Sequence, residues 1–261
     1  MTIWAVLSDI HGNLPALHAV LADAKAQGAN GWLNLGDTLS GPLWPRETAE
    51  LLMTLDMQHI AGNHERQLLT QHADAMNTSD RFAAAHITPE QRAWLAAMPK
   101  LMRPQEGLLC VHGNLTSDNE YLLETVTADH GVAGSKGVRQ ASEDELRQRL
   151  APLPATLLLC GHSHVPRQVL FEGLHIANPG SVGLPAFDHD QPHLHDVETG
   201  SPRSRYALVR RFALGWLVTL RKVDYDWDSA AQRAAGNGRD DWADALRSGR
   251  VGRRAGSLQR P

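Results

Sequence analysis

Short apolar runs alternate with amphipathic stretches through the first part of the chain, and the runs tend to end on polar clusters. Ile3–Ser8 predicts a buried strand closed by Asp9. Asn13 then reads as an N-cap, with Pro15 in the first turn and Leu14, Leu17, Val20 and Leu21 at helical spacing. Gly28 and Gly31 end that helix, and Trp32–Leu35 is a second short strand. Arg46–Leu55 predicts a helix, Met57–Ala61 a third strand and His64–Gln71 a further helix. This alternation is the pattern of a parallel α/β sheet.

Two capping boxes place later helices. Thr88-Pro89-Glu90-Gln91 opens one over Pro89–Met98, and Ser142-Glu143-Asp144-Glu145 opens another that runs to Leu150. Leu108–Val111 and Thr156–Cys160 are buried strands. Beyond them the texture changes. Gln168–Phe171 and Leu174–Ala177 flank Glu172-Gly173, and Tyr206–Leu214 and Trp216–Val223 flank Gly215, so this half reads as antiparallel hairpins. Asp228–Ala235 and Asp241–Arg247 predict short helices. The expected organisation is one domain over 1–247, with 114–150 as a cap segment and 248–261 as a flexible Arg- and Gly-rich tail.

Composition narrows the class. Hydrophobic residues make up 42% and the net charge is −4, which fits a globular protein without a basic nucleic-acid surface. Cys110 and Cys160 each end an apolar run and lack CxxC spacing, so they read as buried thiols. The start Met1-Thr2-Ile3-Trp4 has no basic region, and no apolar run reaches the ~20 residues of a membrane span. The expected location is the cytoplasm.

The polar clusters carry the candidate chemistry. They are Asp9-Ile10-His11, Gly36-Asp37, Gly62-Asn63-His64, Val111-His112-Gly113 and Gly161-His162-Ser163-His164. Each lies where an apolar strand ends, the edge at which open α/β sheets collect function. Carboxylate, imidazole and amide oxygen together suit a pair of hard or borderline divalent cations.

In this order the five blocks resemble the calcineurin-like metallophosphoesterases, whose pattern is D-x-H, G-D, G-N-H-[DE], H and G-H-x-H. Asn178-Pro179-Gly180-Ser181-Val182-Gly183 and Arg205-Tyr206-Ala207-Leu208 resemble downstream blocks of the small bacterial members. The resemblance implies a four-layered α/β/β/α sandwich with mixed sheets. It implies that Asp9, His11 and His164 hold one metal, that Asn63, His112 and His162 hold the other, and that Asp37 bridges them. Two divalent metal ions (Mn, Fe, Zn or Ni), a small phosphorylated substrate, attack by a metal-bridging hydroxide and His64 as general acid all follow from the same resemblance. The product would be a phosphomonoesterase or phosphodiesterase. After Asp37 the chain reads Thr38-Leu39-Ser40-Gly41, without the Asp-Arg-Gly of the protein Ser/Thr phosphatases and symmetrical diadenosine tetraphosphatases, which speaks against both activities.

The rival class is a binding scaffold on the same fold, of which the retromer subunit is an example; the full ligand set and His64 favour the enzyme. A nuclease would need a basic stripe that the chain lacks. A homo-oligomer is left open. His189, His193 and His195 read as a solvated insertion loop facing the cap, and Arg247, Arg250, Arg253 and Arg254 as a solvated tail. Asn178–Ser181 reads as a turn that shapes the site.

Overall fold

A computed structural model describes residues 2–254. The first sheet is built by β1 (Ile3–Leu7), α1 (Leu14–Ala26), β2 (Gly31–Asn34), α2 (Pro45–Met53) and β3 (Gln58–His59), a repeated strand–helix unit with β1, β2 and β3 mutually parallel. Helices α3 (Asn63–Thr70), α4 (Thr78–His86) and α5 (Pro89–Ala96) follow. The second sheet starts with β4 (Leu101–Gln105) and β5 (Leu108–Val111). A small excursion then holds β6 (Glu124–Val126), β7 (Val138–Gln140) and α6 (Glu143–Arg149). The chain returns through β8 (Leu157–Leu159), β9 (Arg167–Phe171) and β10 (Leu174–Asn178). A further hairpin, β11 (Ala186–His189) and β12 (His195–Glu198), precedes β13 (Ser204–Phe212), β14 (Gly215–Val223), α7 (Trp227–Gly236) and α8 (Asp240–Ser248).

The strand order is β14-β13-β1-β2-β3 in one five-stranded sheet and β4-β5-β8-β10-β9 in the other. Strand alternation explains the layers. Val6, Leu33, Leu108, Cys110, Leu157, Leu159 and Val209 point into a core shared by the two sheets. Their neighbours Ala5 and Leu7 turn outward onto Leu17 and Val20 of α1. On the far side Leu109, Val111, Leu158 and Ile176 meet Leu146 of α6. Helix, sheet, sheet, helix is therefore the layering, with mixed sheets. Both cysteines are buried, Cys110 between the sheets and Cys160 on the outer side.

Asn13 caps α1 by accepting from the Ala16 amide, and the Thr88 and Ser142 capping boxes form as the sequence predicts. The second half departs from expectation. It is not an antiparallel unit: β10 runs parallel to β8, and the two hairpins are divided between the sheets. Hairpin geometry is local, but the strand each hairpin joins is chosen by long-range burial. Helix α4 falls in a stretch with no predicted element, and hairpin β11–β12 lies where the sequence suggested loop. The stretch 255–261 of the expected tail lies outside the described residues. Residues 249–254 rest on the fold, with the Gly249 carbonyl accepting from the Thr199 and Gly200 amides. No helix of the described residues is long and apolar enough to cross a membrane.

Candidate metal centre

All five polar clusters sit at the carboxyl ends of parallel strands: Asp9 beyond β1, Asp37 beyond β2, Asn63 beyond β3, His112 at the end of β5 and His162 beyond β8. Backbone bonds stitch the loops together. Asp9 N donates to Gly36 O (3.0 Å), His11 N to Asp37 O (3.0 Å) and Gly161 N to His112 O (2.7 Å). The approach is close enough to require glycine at Gly36, where a Cβ would lie 2.5 Å from the Gly62 nitrogen and φ is +100°.

Seven non-glycine residues among those described have positive φ, and five of them are Asp9, His11, Asp37, His162 and His164. Each costs on the order of 1–3 kcal/mol and persists only where the surroundings over-determine it. Here the strain coincides with the candidate ligands and turns their side chains toward one another.

Asp9, His11 and His164 form one buried group with ligand atoms within 4.8 Å of one another, and Asp37, His112 and His162 form a second. His11 Nδ1 faces the Ser40 carbonyl and His164 Nδ1 faces the Leu184 carbonyl, both at 2.7 Å. A carbonyl only accepts, so each Nδ1 carries a proton and each Nε2 is the ring atom turned into the site. The two Nε2 atoms then face each other at 3.1 Å, a spacing that a shared proton or a bound cation accounts for. Asp9 Oδ1, 3.3 Å from His164 Nε2, is buried with no hydrogen bond. Two ring nitrogens and a carboxylate oxygen converging in a buried site fit a cation. The second group repeats the arrangement. His112 Nδ1 faces Leu35 O at 2.7 Å, and its Nε2 lies 3.0 Å from Asp37 Oδ2 and 3.1 Å from Asn63 Oδ1. Asp37 Oδ1 accepts from the His64 amide at 3.0 Å, and Asp9 Oδ2 from the His162 amide at 3.2 Å, which joins the two groups.

The electrostatics agree. Burial pushes His11 down to about 4, with His164 adding to the effect, and burial with His112 pushes His162 down to about 3. Burial would raise Asp9, but His164 outweighs it and holds the carboxyl at about 2. Burial would lower His112, but the Asp37 carboxylate outweighs it and lifts the ring to about 10. That pair attracts positive charge, as a proton or as a metal ion.

Glu65 was legible only as part of a motif; its work is structural. Fully buried, it accepts from the amides of Asp37 (2.8 Å), Thr38 (2.7 Å) and Gly62 (2.8 Å) and so clamps two ligand loops at once. His64 Nδ1 bonds Asp80 Oδ1 at 2.8 Å, and Asp80 is fully buried. Burial alone would lower His64, but Asp37 and then Asp80 lift it to about 9. Sequence reasoning missed Asp80 because it missed α4. The signal was Asn77-Thr78-Ser79-Asp80, an N-cap whose side chain accepts from the Asp80 amide. The turn after β10 is a buttress: Asn178 Nδ2 donates to Gly161 O (2.8 Å), and Ser181 Oγ donates to Asp9 O (2.8 Å).

A cavity of about 800 Å³ opens over His11, Asp37, Asn63, His64, His162 and His164. The segment 119–126 lines one side and residues 187–192 another. In the histidine-rich stretch the bend 189–194 is exposed, as expected of a solvated loop, but it joins two strands and His195 is buried. His195 is 1% exposed and its Nε2 accepts from the Tyr121 hydroxyl at 2.9 Å, since its Nδ1 faces the His193 carbonyl. The arginines 253 and 254 are likewise engaged, Arg253 with Asp244 and Asp240 and Arg254 with Asp188 and Asp196. The Arg254 partners were concealed because they lie 66 and 58 residues away in sequence.

A family model of the calcineurin-like phosphoesterases matches residues 4–166. The chain belongs to that family. This phosphoesterase is a metal-dependent phosphoric ester hydrolase, and the family binds divalent metals, typically two. It is 25% identical over 256 residues to an uncharacterized protein of Methanocaldococcus jannaschii, covering 91% of this chain and 94% of that one. A metallophosphoesterase from Sphaerobacter thermophilus superposes with a TM-score of 0.68 at 22% identity, over 95% of this chain and 99% of the other. A hypothetical protein of Pyrococcus horikoshii gives 0.68 at 20% identity, over 98% and 100%. These two likenesses establish the fold.

Proposed function

We propose that this phosphoesterase hydrolyses a phosphomonoester or phosphodiester at a centre for two divalent ions. Asp9, His11 and His164 would hold one ion, Asn63, His112 and His162 the other, and Asp37 would serve both. The observation that carries this reading is the buried convergence of His11 Nε2, His164 Nε2 and the hydrogen-bond-free Asp9 Oδ1, with the two ring nitrogens 3.1 Å apart. Carboxylate, imidazole and amide donors suit Mn²⁺, Fe²⁺, Zn²⁺ or Ni²⁺. When bound, the ions supply Lewis acidity toward the phosphoryl oxygens and a water nucleophile at neutral pH.

The chain's own residues supply the rest. His64 is the general acid: Asp80 holds its Nδ1, which leaves Nε2 to protonate the leaving oxygen at the cavity floor. Glu65 keeps the Asp37 and Asn63 loops in register, so that the two groups keep their spacing. The same reading treats the chain as one domain in which 114–150 caps the cavity.

Elemental analysis of the purified protein tests the centre, beside activity on p-nitrophenyl mono- and diesters. Wild type should take up two divalent ions, Asp37→Ala neither, and Asn63→Ala about one. Asp37→Ala should lose on the order of 10³-fold or more in activity, since it removes charge stabilisation from both sides of the centre. A wild type that takes up no divalent metal when supplied would overturn the reading.

A further inference from the structure

Beyond the candidate ligands, the cavity is far larger than a phosphoryl group, and its walls have a definite chemistry. Three aromatic rings surround the centre. Tyr121 lies 5.0 Å from the His162 ring, Phe187 4.6 Å from His164 and Trp242 5.8 Å from His11. Apart from Asp37, five carboxylates line the cavity: Glu120, Glu124, Asp188, Asp190 and Asp241. Among the described residues three guanidinium groups line it, and each is already held by the protein. Arg239 is paired through two nitrogens with Asp241 (2.9 and 2.7 Å). Arg253 is paired with Asp244 and Asp240. Arg149 donates to the carbonyls of Leu122 and Glu124 and to the Thr125 hydroxyl, with Glu145, Glu124 and Glu120 around it.

A second, independent observation concerns Glu124. Only 3% exposed, it accepts from Arg167 Nε through Oε1 at 2.8 Å. Its Oε2 is buried and makes no hydrogen bond, and burial raises the carboxyl above its usual range against the opposing pull of Ser163 and Arg167. A buried carboxylate oxygen without a donor is costly, and an N–H, O–H or ammonium group from a ligand relieves that cost. A second phosphate would do the reverse: it would bring like charge against the carboxylates and find no unspent guanidinium fork. Aromatic faces beside carboxylates favour cations as well.

We infer that this cavity selects esters with a single phosphorus atom and a cationic or donor-rich alcohol part, and discriminates against substrates that carry a further phosphate. The inference rests on the phosphoesterase reading of the same site and names its substrate class.

Three diesters with one leaving group test it on the metal-loaded, full-length protein. They are p-nitrophenyl phosphorylcholine, the p-nitrophenyl ester of thymidine 5′-phosphate, and that nucleotide ester bearing a 3′-phosphate. The choline ester should match or exceed the thymidine ester in kcat/KM. The 3′-phosphorylated ester should fall about tenfold or more below it at low ionic strength, with the gap narrowing as salt rises. Asp190→Lys, at an exposed position, should narrow that gap several-fold. Glu124→Gln should erase any advantage of the choline ester. A 3′-phosphorylated ester turned over as fast as the thymidine ester, or a gap that ignores both salt and Asp190→Lys, overturns the inference. If none of the three is hydrolysed with any divalent metal, diester hydrolysis fails as a reading. Calorimetric Kd values for the same three compounds then decide the selectivity independently, by the same order.

Discussion

Asp37 and Asp190 are both carboxylates facing one cavity, yet they are held in opposite ways. Asp37 is 1% exposed, sits at φ +54°, donates its amide to Glu65 and offers its two oxygens to the His64 amide and to His112. Asp190 is exposed in the bend between β11 and β12. The same contrast separates the whole ligand cradle from the whole rim. The cradle stores backbone strain and buried charge because every loop is bonded to another loop and to the ends of two sheets. The rim is built from hairpins and ion pairs that can change without disturbing the sheets. On the proposed reading, chemistry belongs to the first region and selection to the second.

The comparison is sharpest at His64, which follows the cradle residue Asn63 and lines the cavity. His64→Ala should lose about 10²–10⁴-fold on esters with poor leaving groups. It should lose much less on p-nitrophenyl esters, whose leaving oxygen hardly needs a proton. Equal losses on both would make His64 a structural part of the cradle.

Glu65 tests whether the cradle is over-determined. Glu65→Ala strands three buried amides, at about 1–3 kcal/mol each before relaxation. Denaturant unfolding should show a loss of about 3 kcal/mol or more, together with weakened metal uptake. A loss under about 1 kcal/mol would mean that water replaces the clamp and that the cradle is no more constrained than the rim.

Beneath the cradle, His59 adds a pH dependence. It lies against Trp94 and accepts from Asn34, whose amide also holds Thr38. Burial pushes it down to about 4. The folded state therefore prefers the neutral ring. Its contribution is fully present above about pH 6.5 and is lost as pH falls from there toward 4, a change of roughly 2–3 kcal/mol. Stability of the metal-stripped protein measured across pH 4–7 should show a shallower acid limb in His59→Gln than in wild type. Parallel limbs would remove His59 from the account.

The smallest effect belongs to the rim. Tyr121→Phe removes the bond to His195 and keeps the ring against His162. It should cost about 1 kcal/mol or less and change KM several-fold while metal content stays at wild-type level. Lost metal in this variant would show that rim and cradle are one unit.

Much of the cradle was legible because its signals are local. A short apolar run followed by a polar cluster marks a strand end, whatever the rest of the chain does. Five such ends in a parallel α/β pattern had to share an edge. The capping boxes at Thr88 and Ser142 were equally local, and both helices start where the sequence places them. The rim was opaque for the opposite reason. Asp80 meets His64 across 16 residues, Asp118 meets Arg66 across 52, Tyr121 meets His195 across 74 and Arg254 meets Asp188 across 66. Each looks like any polar residue of a loop or helix until the partner is beside it.

By itself the amino-acid sequence determined the kinds of element, their order and the identity of the residues at the strand ends, because periodicity, capping and glycine placement act over a few residues. Only the tertiary structure decided which sheet each hairpin joins, which histidine nitrogens confront one another and which carboxylate goes without a donor. Those outcomes depend on burial and on loop-to-loop hydrogen bonds between residues as far apart as Asp9 and Gly183, and no local preference encodes them.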